Sequence, residues 1–512
     1  MTDEPARFLA LPPWRQPALL LAAALWAWRA AYAPFVNLFP EEAYYWSYAK
    51  HLDYGYLDHP PMVAWLIATG TAVFGDTEFG VRVGALLCSL VTSFFVYRLA
   101  ALLYDRRAAA GAVLAVQVLP IFFLSGIVMT PDAPLAAAWA ATLYFLARAI
   151  FRESAGAWLG VGVALGLGML SKYTLALLGP ATLLFLALDP ASRRWFRHPA
   201  PYLAVALSVV LFSPVVAWNA AHHWASFAFQ TTGRTRERRH FALHELAGAI
   251  VGVLTPVGVW LAALALGPAP DPHLRRRRLF ARVFTGVPLA VFVVFSLTHR
   301  VKLNWTGPLW LATIPGVAAL LADAWNAPDR PSSPRRRHAW IATVAVCALA
   351  YGLVLQHLAF GLPGVRYSPN IEILPVGWPE LARDLEARKA ELARTSPAPV
   401  YIVGMDRNFI ASEATFYQSD RPTALRETTG AHLFQGGSLM YGYWFPPEKL
   451  FGATLLLVSF QETEVTSRRV LDNCRAADPV QTHALSHRGR PVRRYYTRVA
   501  YDYGHPASTP VR

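Results

Sequence analysis

Between Glu41 and Pro61 the chain gathers four carboxylates (Glu41, Glu42, Asp53, Asp58), two histidines (His51, His59) and a crowd of aromatic side chains. In Glu41-Glu42-Ala43-Tyr44-Tyr45-Trp46 the adjacent acids follow Pro40. That order suits the first turn of a helix, where proline loses no bond and the helix dipole favours negative charge. A carboxylate fixed at a helix start is also well placed as a general base, so structural and catalytic readings of Glu41 and Glu42 both stand. Asp58-His59-Pro60-Pro61 sets a carboxylate beside an imidazole on a stiff diproline. The pair suits contact with a metal or a phosphate, and equally an ordinary rigid loop.

Further along, Thr130-Pro131-Asp132-Ala133-Pro134 separates two apolar segments. Asp132 is either the cap of the following helix or a functional acid, because carboxylates near the membrane interior are rare without a role. Lys172 and Lys302 each stand alone at the end of an apolar segment. Such cations snorkel to the interface or neutralise a phosphate leaving group. Arg234, in the basic run 234–239, is a further candidate phosphate contact. His222 and His223 are adjacent and would point in different directions on a helix, so with Trp218 and Trp224 they read as interfacial rather than metal-binding.

The elements that must position these residues are membrane helices. Only 15% of the 512 residues are charged and 55% are hydrophobic, against about 25% charged in an ordinary globular domain. The mean hydropathy is +0.31. Apolar segments at 17–36, 81–103, 108–128, 133–150, 156–170, 173–188, 200–218, 246–266, 282–298, 307–324 and 339–359 predict about eleven transmembrane helices. The net charge of +15 does not indicate nucleic acid, because five arginine clusters fall in every second loop, the run at 234–239 in the 219–245 loop being the exception. They lie at Arg106 and Arg107, Arg148 and Arg152, Arg193 to Arg197, Arg275 to Arg278, and Arg335 to Arg337. The positive-inside rule then makes those loops cytoplasmic. Glu41, Asp58, Asp132, Lys172 and Lys302 fall in the alternate loops, on the outer face.

Residues 360–503 lose the long apolar runs and read as an outer α/β domain, with strands near 399–404 and 453–460 and a helix over 380–392. The domain division predicted is 1–359 transmembrane, 360–503 periplasmic and 504–512 a disordered tail. Cys88, Cys347 and Cys474 are too scattered for a metal site or a disulfide framework. No glycine-rich nucleotide loop is present, since Gly160, Gly162 and Gly168 lie inside an apolar segment where small residues favour close helix packing. An outward-facing enzyme without a nucleotide cofactor needs an activated donor carried by a lipid.

The order Pro40-Glu41-Glu42-Ala43-Tyr44-Tyr45-Trp46, Tyr56-Leu57-Asp58-His59-Pro60-Pro61, Phe74-Gly75, Val81-Arg82, Thr130-Pro131-Asp132-Ala133-Pro134, Leu170-Ser171-Lys172-Tyr173 and Lys302-Leu303-Asn304-Trp305 resembles bacterial members of glycosyltransferase family 39. That group includes protein O-mannosyltransferases and the aminoarabinose and galacturonic acid transferases of lipid A. The resemblance covers roughly residues 15–325. It implies the all-α membrane GT-C fold, with outer juxtamembrane helices and a small C-terminal α/β domain. It also implies an inverting transfer of sugar from a polyprenyl-phosphate donor to an envelope glycolipid such as lipid A or lipopolysaccharide core, at the periplasmic face of the bacterial inner membrane.

Carried over by position, Glu41 or Glu42 matches the acid at the reaction centre, although the family usually has Asp followed by Glu. Asp132 matches the second acidic position. Asp58 stands where the aminoarabinose transferases have a metal contact, so a divalent ion enters as an expected cofactor, and His59 stands at their phosphate contact. Lys172, Lys302 and Arg234 complete the positive charge available to the departing phosphate. The partners expected are therefore a lipid-linked sugar, a glycolipid acceptor and membrane lipids. Two alternatives remain at this point: transfer to protein, and a transporter or flippase with intramembrane acids as a proton relay.

Overall fold

The computed structural model describes residues 15–233, 239–269, 271–368 and 374–505. The chain divides into two compact units, one of Met1–Ala33, Tyr54–Leu66 and Arg82–Val354, the other of Pro34–Asp53, Ile67–Val81 and Leu355–Arg512. Helices follow in the order α1 (Arg15–Tyr32), α2 (Pro40–Lys50), α3 (Met62–Phe74), α4 (Glu78–Leu103), α5 (Arg106–Val118), α6 (Pro120–Ser125), α7 (Asp132–Phe151) and α8 (Ala157–Met169). After these come α9 (Leu178–Leu188), α10 (Pro199–Ala221), the single turn α11 (Ala225–Ala228), α12 (Leu243–Leu266), α13 (Pro272–Ser296), α14 (Ile314–Asn326) and α15 (Ser333–Phe360).

Among the described residues six helices, α4, α7, α10, α12, α13 and α15, are long and apolar enough to cross a bilayer. Two bent pairs, Tyr173–Leu188 with Pro190–Arg197 (118°) and Leu303–Ala312 with Ile314–Asn326 (60°), raise the number to eight if each pair is one span. The protein is therefore a multi-pass membrane protein. The other expected spans take different forms, and proline explains one of them. The segment 108–128 is divided between α5 and α6 at Pro120, which lacks the N–H needed to continue the first helix. The segment 156–170 is a 13-residue helix, α8, and of 17–36 the helix α1 takes in the part up to Tyr32.

Close packing follows residue size. A Cβ at Gly162 would stand 2.7 Å from the Ala204 carbonyl, so glycine is what lets α8 lie against α10. The two ends of the first unit differ in charge. At one end Arg276 reaches Asp189 at 2.7 Å and lies over the Phe151 ring at 4.8 Å, while Arg194 meets Glu153 at 2.9 Å. These contacts draw together the end of α7, the turn after α9 and the start of α13. The opposite ends of α7, α8 and α13 carry the Asp132 group described below.

Arg29, in the last turn of α1, is fully buried. Its Nη1 donates to the carbonyls of Phe123 (3.1 Å) and Phe122 (3.3 Å), and its Nη2 to the Gln117 side chain, which in turn donates to Ser93 at 2.7 Å. A Cβ at Gly126 would come within 2.3 Å of that guanidinium. The arginine thus fastens the break between α5 and α6, directly ahead of the turn that presents Asp132.

In the second unit α16 (Trp378–Thr395), β1 (Val400–Gly404), α17 (Phe409–Tyr417), β2 (Thr428–Gly430), β3 (Thr454–Ser459), β4 (Cys474–Ala477), β5 (Gln481–His487) and β6 (Arg490–Tyr503) build a six-stranded sheet. Its order is β2-β1-β3-β6-β4, with β5 paired to β6. β1 is parallel to both neighbours and β6 antiparallel to β3. The expected strands and helix are all present. The apolar run of β3 is buried at every residue, as a central strand with both faces covered requires. Glu380 of α16 bonds His487 of β5 at 2.8 Å. Burial pushes that carboxyl up, but the hydrogen bond and charge of His487 bring it net below the usual range.

Replacing Arg29 with Met strands the two carbonyls and Gln117, and should cost on the order of 3 kcal/mol, read as a lower thermal midpoint of the purified protein in detergent. A carboxyl depressed in the folded state stabilises above its unfolded pKa and loses that contribution as pH falls through the folded value. The second unit should therefore lose stability on acidification below about pH 4.5, and Glu380→Gln should flatten that loss in a pH series of melting curves.

Candidate active site

Asp132 opens α7 behind Pro131, and its carboxylate does not cap the helix. Instead Oδ1 accepts from the Lys172 ammonium at 2.8 Å and Oδ2 from the Asn304 amide at 2.6 Å. Asp132 and Lys172 are 7% and 8% exposed, so both charges have left water and each depends on the other. The acid also sits at the positive end of the α7 dipole. Three separate segments meet here: the start of α7, the turn after α8, and the loop after α13. Of the two readings open for Asp132, the helix cap is set aside by this geometry. Lys172 is not a solitary cation, because it is committed to Asp132.

The Asp58–His59 loop lies beside the same turn. Met62 N–H, at the start of α3, donates to the Leu170 carbonyl at 2.9 Å, two residues before Lys172. Gln230 donates to the Asp58 carbonyl, and the Tyr56 N–H to the His59 carbonyl at 3.2 Å. Asp58 is buried and His59 half-buried. Lys302 is exposed, two residues from Asn304. Arg234 lies outside the described residues. His222 stacks on Trp218 at 4.0 Å beside the end of α10, in keeping with a structural part.

Glu41 and Glu42 belong to the second unit. There α2 is held on several sides: Trp46 meets Phe416 edge-on at 5.1 Å and bonds Asp76 at 2.8 Å. Tyr44 accepts from the Met440 N–H at 3.2 Å, and Lys50 pairs with Asp76 at 2.6 Å. Nine of the eleven residues of α2 are buried, and the two exposed ones are Glu41 and Lys50. The doubled glutamate is thereby resolved into two environments. Glu42 is fully buried and its Oε2 accepts from the Phe39 N–H at 3.0 Å, closing the helix start. Glu41 is an exposed residue of the same first turn.

Among the described residues no three His, Cys, Asp or Glu side chains come together as a metal-holding group. Asp58 and His59 are two such side chains, one fewer than that group needs. Asn304 is the residue that sequence reasoning passed over. It lies inside Lys302-Leu303-Asn304-Trp305, where the lysine drew notice as the charged member, and the signal that could have found it is its place beside an acid-bearing turn on the same membrane face.

Residues 58–218 match the family model described as dolichyl-phosphate-mannose-protein mannosyltransferase. The chain is 28% identical over 214 residues to the lipid A galacturonosyltransferase RgtD of Rhizobium johnstonii, covering 40% of this chain and 43% of that one. The aligned part is thus less than half of that relative. It is 26% identical over 390 residues to the lipopolysaccharide core galacturonosyltransferase RgtA of the same organism, covering 71% and 74%. The crystal structure of ArnT from Cupriavidus metallidurans bound to undecaprenyl phosphate superposes with a TM-score of 0.61 at 17% identity, over 97% of this chain and 99% of that one. A similarity of that extent establishes the GT-C fold.

The buried ion pair makes a specific demand on mutants. Lys172→Met and Asp132→Asn should each cost about 3–5 kcal/mol by leaving the partner charge alone, and the double variant should cost clearly less than the sum. Thermal unfolding of the three variants in detergent checks this, and simple additivity would remove the pair from the account.

Proposed function

The chain belongs to the GT-C superfamily by fold, and on that premise we propose that it is an inverting glycosyltransferase. It moves a sugar from a polyprenyl-phosphate donor to an envelope glycolipid such as lipid A or lipopolysaccharide core. The RgtD and RgtA similarities support this acceptor class, and the ArnT complex with undecaprenyl phosphate supports the donor class. The orientation that goes with it puts the arginine-rich end in the cytoplasm and the Asp132 end at the periplasm, in the inner membrane.

The observation that carries the proposal is the separation of Glu41 from Glu42. Attack by an acceptor hydroxyl on the anomeric carbon of the donor forms one C–O bond and breaks another, and the hydroxyl must lose its proton as it bonds. A carboxylate on an exposed residue of a rigid helix suits that task, whereas a buried one that closes its own helix does not. Glu41 is the base, and Glu42 holds α2. The proton goes to Glu41 and the electron pair of the breaking bond goes to the phosphate oxygen. From their sequence positions, Lys302, His59 and Arg234 are assigned the positive charge and hydrogen bonds for the departing polyprenyl phosphate. Asp132 and Asn304 keep Lys172 in place at the donor end. A single displacement inverts the anomeric centre.

Acids and cations at the ends of spans, rather than at their centres, fit a surface reaction better than a proton relay. Transfer to a protein hydroxyl is the second reading, supported by the description of the matched family model.

The test is sugar transfer by purified protein from an undecaprenyl-phosphate-linked sugar to lipid A or core lipopolysaccharide. Glu41→Gln should lower the rate about 100-fold or more with melting unchanged. Glu42→Gln should chiefly lower the melting temperature. Full activity in Glu41→Gln would refute Glu41 as the base. Lys302→Met should slow the same reaction, by about 100-fold if it meets the leaving phosphate directly, and an unchanged rate would remove it from that role.

A further inference from the structure

A second polar site lies at the other end of the first unit. A cavity of about 320 Å3 opens where the turn between α4 and α5, the end of α12, the start of α13 and one side of α14 meet. Its place relative to Asp132 follows from α13, which has 25 residues and so rises about 37 Å, a little more than the hydrocarbon core of a bilayer. The cavity is at the start of that helix, and the loop carrying Asn304 follows its end.

Three carboxylates and two guanidiniums line it: Asp105, Asp271, Asp323, Arg277 and Arg278. Among the described residues none of these arginines forms an ion pair with any of these aspartates. Asp105 caps α5 by accepting from the Ala108 N–H at 2.8 Å, and Asp271 caps α13 by accepting from the Leu274 N–H at 2.7 Å. Each keeps a carboxylate oxygen beyond those cap bonds. Arg278 donates to the Gly267 carbonyl at 2.8 Å, Arg277 lies over the Tyr104 ring at 5.5 Å, and Asp323 is exposed. The lining also includes the small residues Gly316, Ala319 and Ala322. Opposite charges in one cavity that do not neutralise each other leave room for a ligand carrying both signs. An anion alone would meet three carboxylates, and a cation alone two guanidiniums.

We propose that this cavity binds a phosphate–ammonium zwitterion, with the phosphate at Arg277 and Arg278 and the ammonium at Asp323 and the remaining oxygens of Asp105 and Asp271. The headgroup of a zwitterionic phospholipid in the adjoining leaflet has this chemistry, and so has soluble phosphoethanolamine. The site is separate from the transfer reaction and stands or falls without it.

Purified full-length protein is titrated with phosphatidylethanolamine, phosphatidylglycerol and soluble phosphoethanolamine, and binding is read by native mass spectrometry. The expected result is a saturable adduct with a phosphate–ammonium compound that phosphatidylglycerol does not displace at equal concentration. R277Q and D323N should each weaken it about tenfold, the loss of one charge-assisted contact. Both positions lie outside the proposed transfer machinery and cap no helix, so folding and sugar transfer should match the wild type. Binding of the lipid but not the soluble compound assigns the membrane source; binding of the soluble compound assigns the free one, and either sustains the site. Equal affinity for phosphatidylglycerol, or unchanged binding in R277Q or D323N, overturns it.

Discussion

Two opposite charges buried together are the constraint on which the first unit depends. Asp132 and Lys172 come from segments 40 residues apart, and neither can be kept in an apolar surrounding without the other. Asn304, 172 residues beyond Asp132, takes up the second carboxylate oxygen. The start of α7, the end of α8 and the loop after α13 must therefore finish at the same depth. Helix lengths, the broken segments and the buried Arg29 that secures the α5–α6 break all serve that convergence. The charges stabilise the arrangement only when it is complete, which makes them a device for specifying one structure rather than a simple gain in stability.

A consequence is that the first unit has two chemically distinct ends. Arginines gather at one, where Arg276 and Arg194 bind aspartate and glutamate across helix ends. Acids, amide and lysine gather at the other. A membrane-spanning chain with such polarity presents different chemistry to each side. The zwitterion site proposed at the arginine-rich end would give that side a binding role of its own.

Much of this was legible in the sequence, for physical reasons. Charge is costly in lipid, so Asp132 and Lys172 stand out between apolar runs. Proline marks broken helices, yet Pro120 inside the segment 108–128 was read through as one span. Asn304 was not singled out, because a neutral amide beside a lysine carries no compositional signal. The different burial of Glu41 and Glu42 was not legible either, since it depends on which side of α2 is covered by Met440 and Phe416, far along the chain. In the second unit the apolar β1 and β3 could be read, whereas β2 has only three residues. β6 carries arginines in a polar-looking stretch, Arg493-Arg494-Tyr495-Tyr496-Thr497-Arg498, that mimics a solvated loop.

The reaction proposed here rests on a sugar reaching an envelope glycolipid, and mass spectrometry of envelope glycolipids from cells with and without the gene tests it most directly. The account predicts that one glycolipid species loses the mass of a single sugar when the gene is absent and regains it on complementation with the wild-type chain. Identical glycolipid profiles in the two strains, under conditions where the protein is produced, would contradict it.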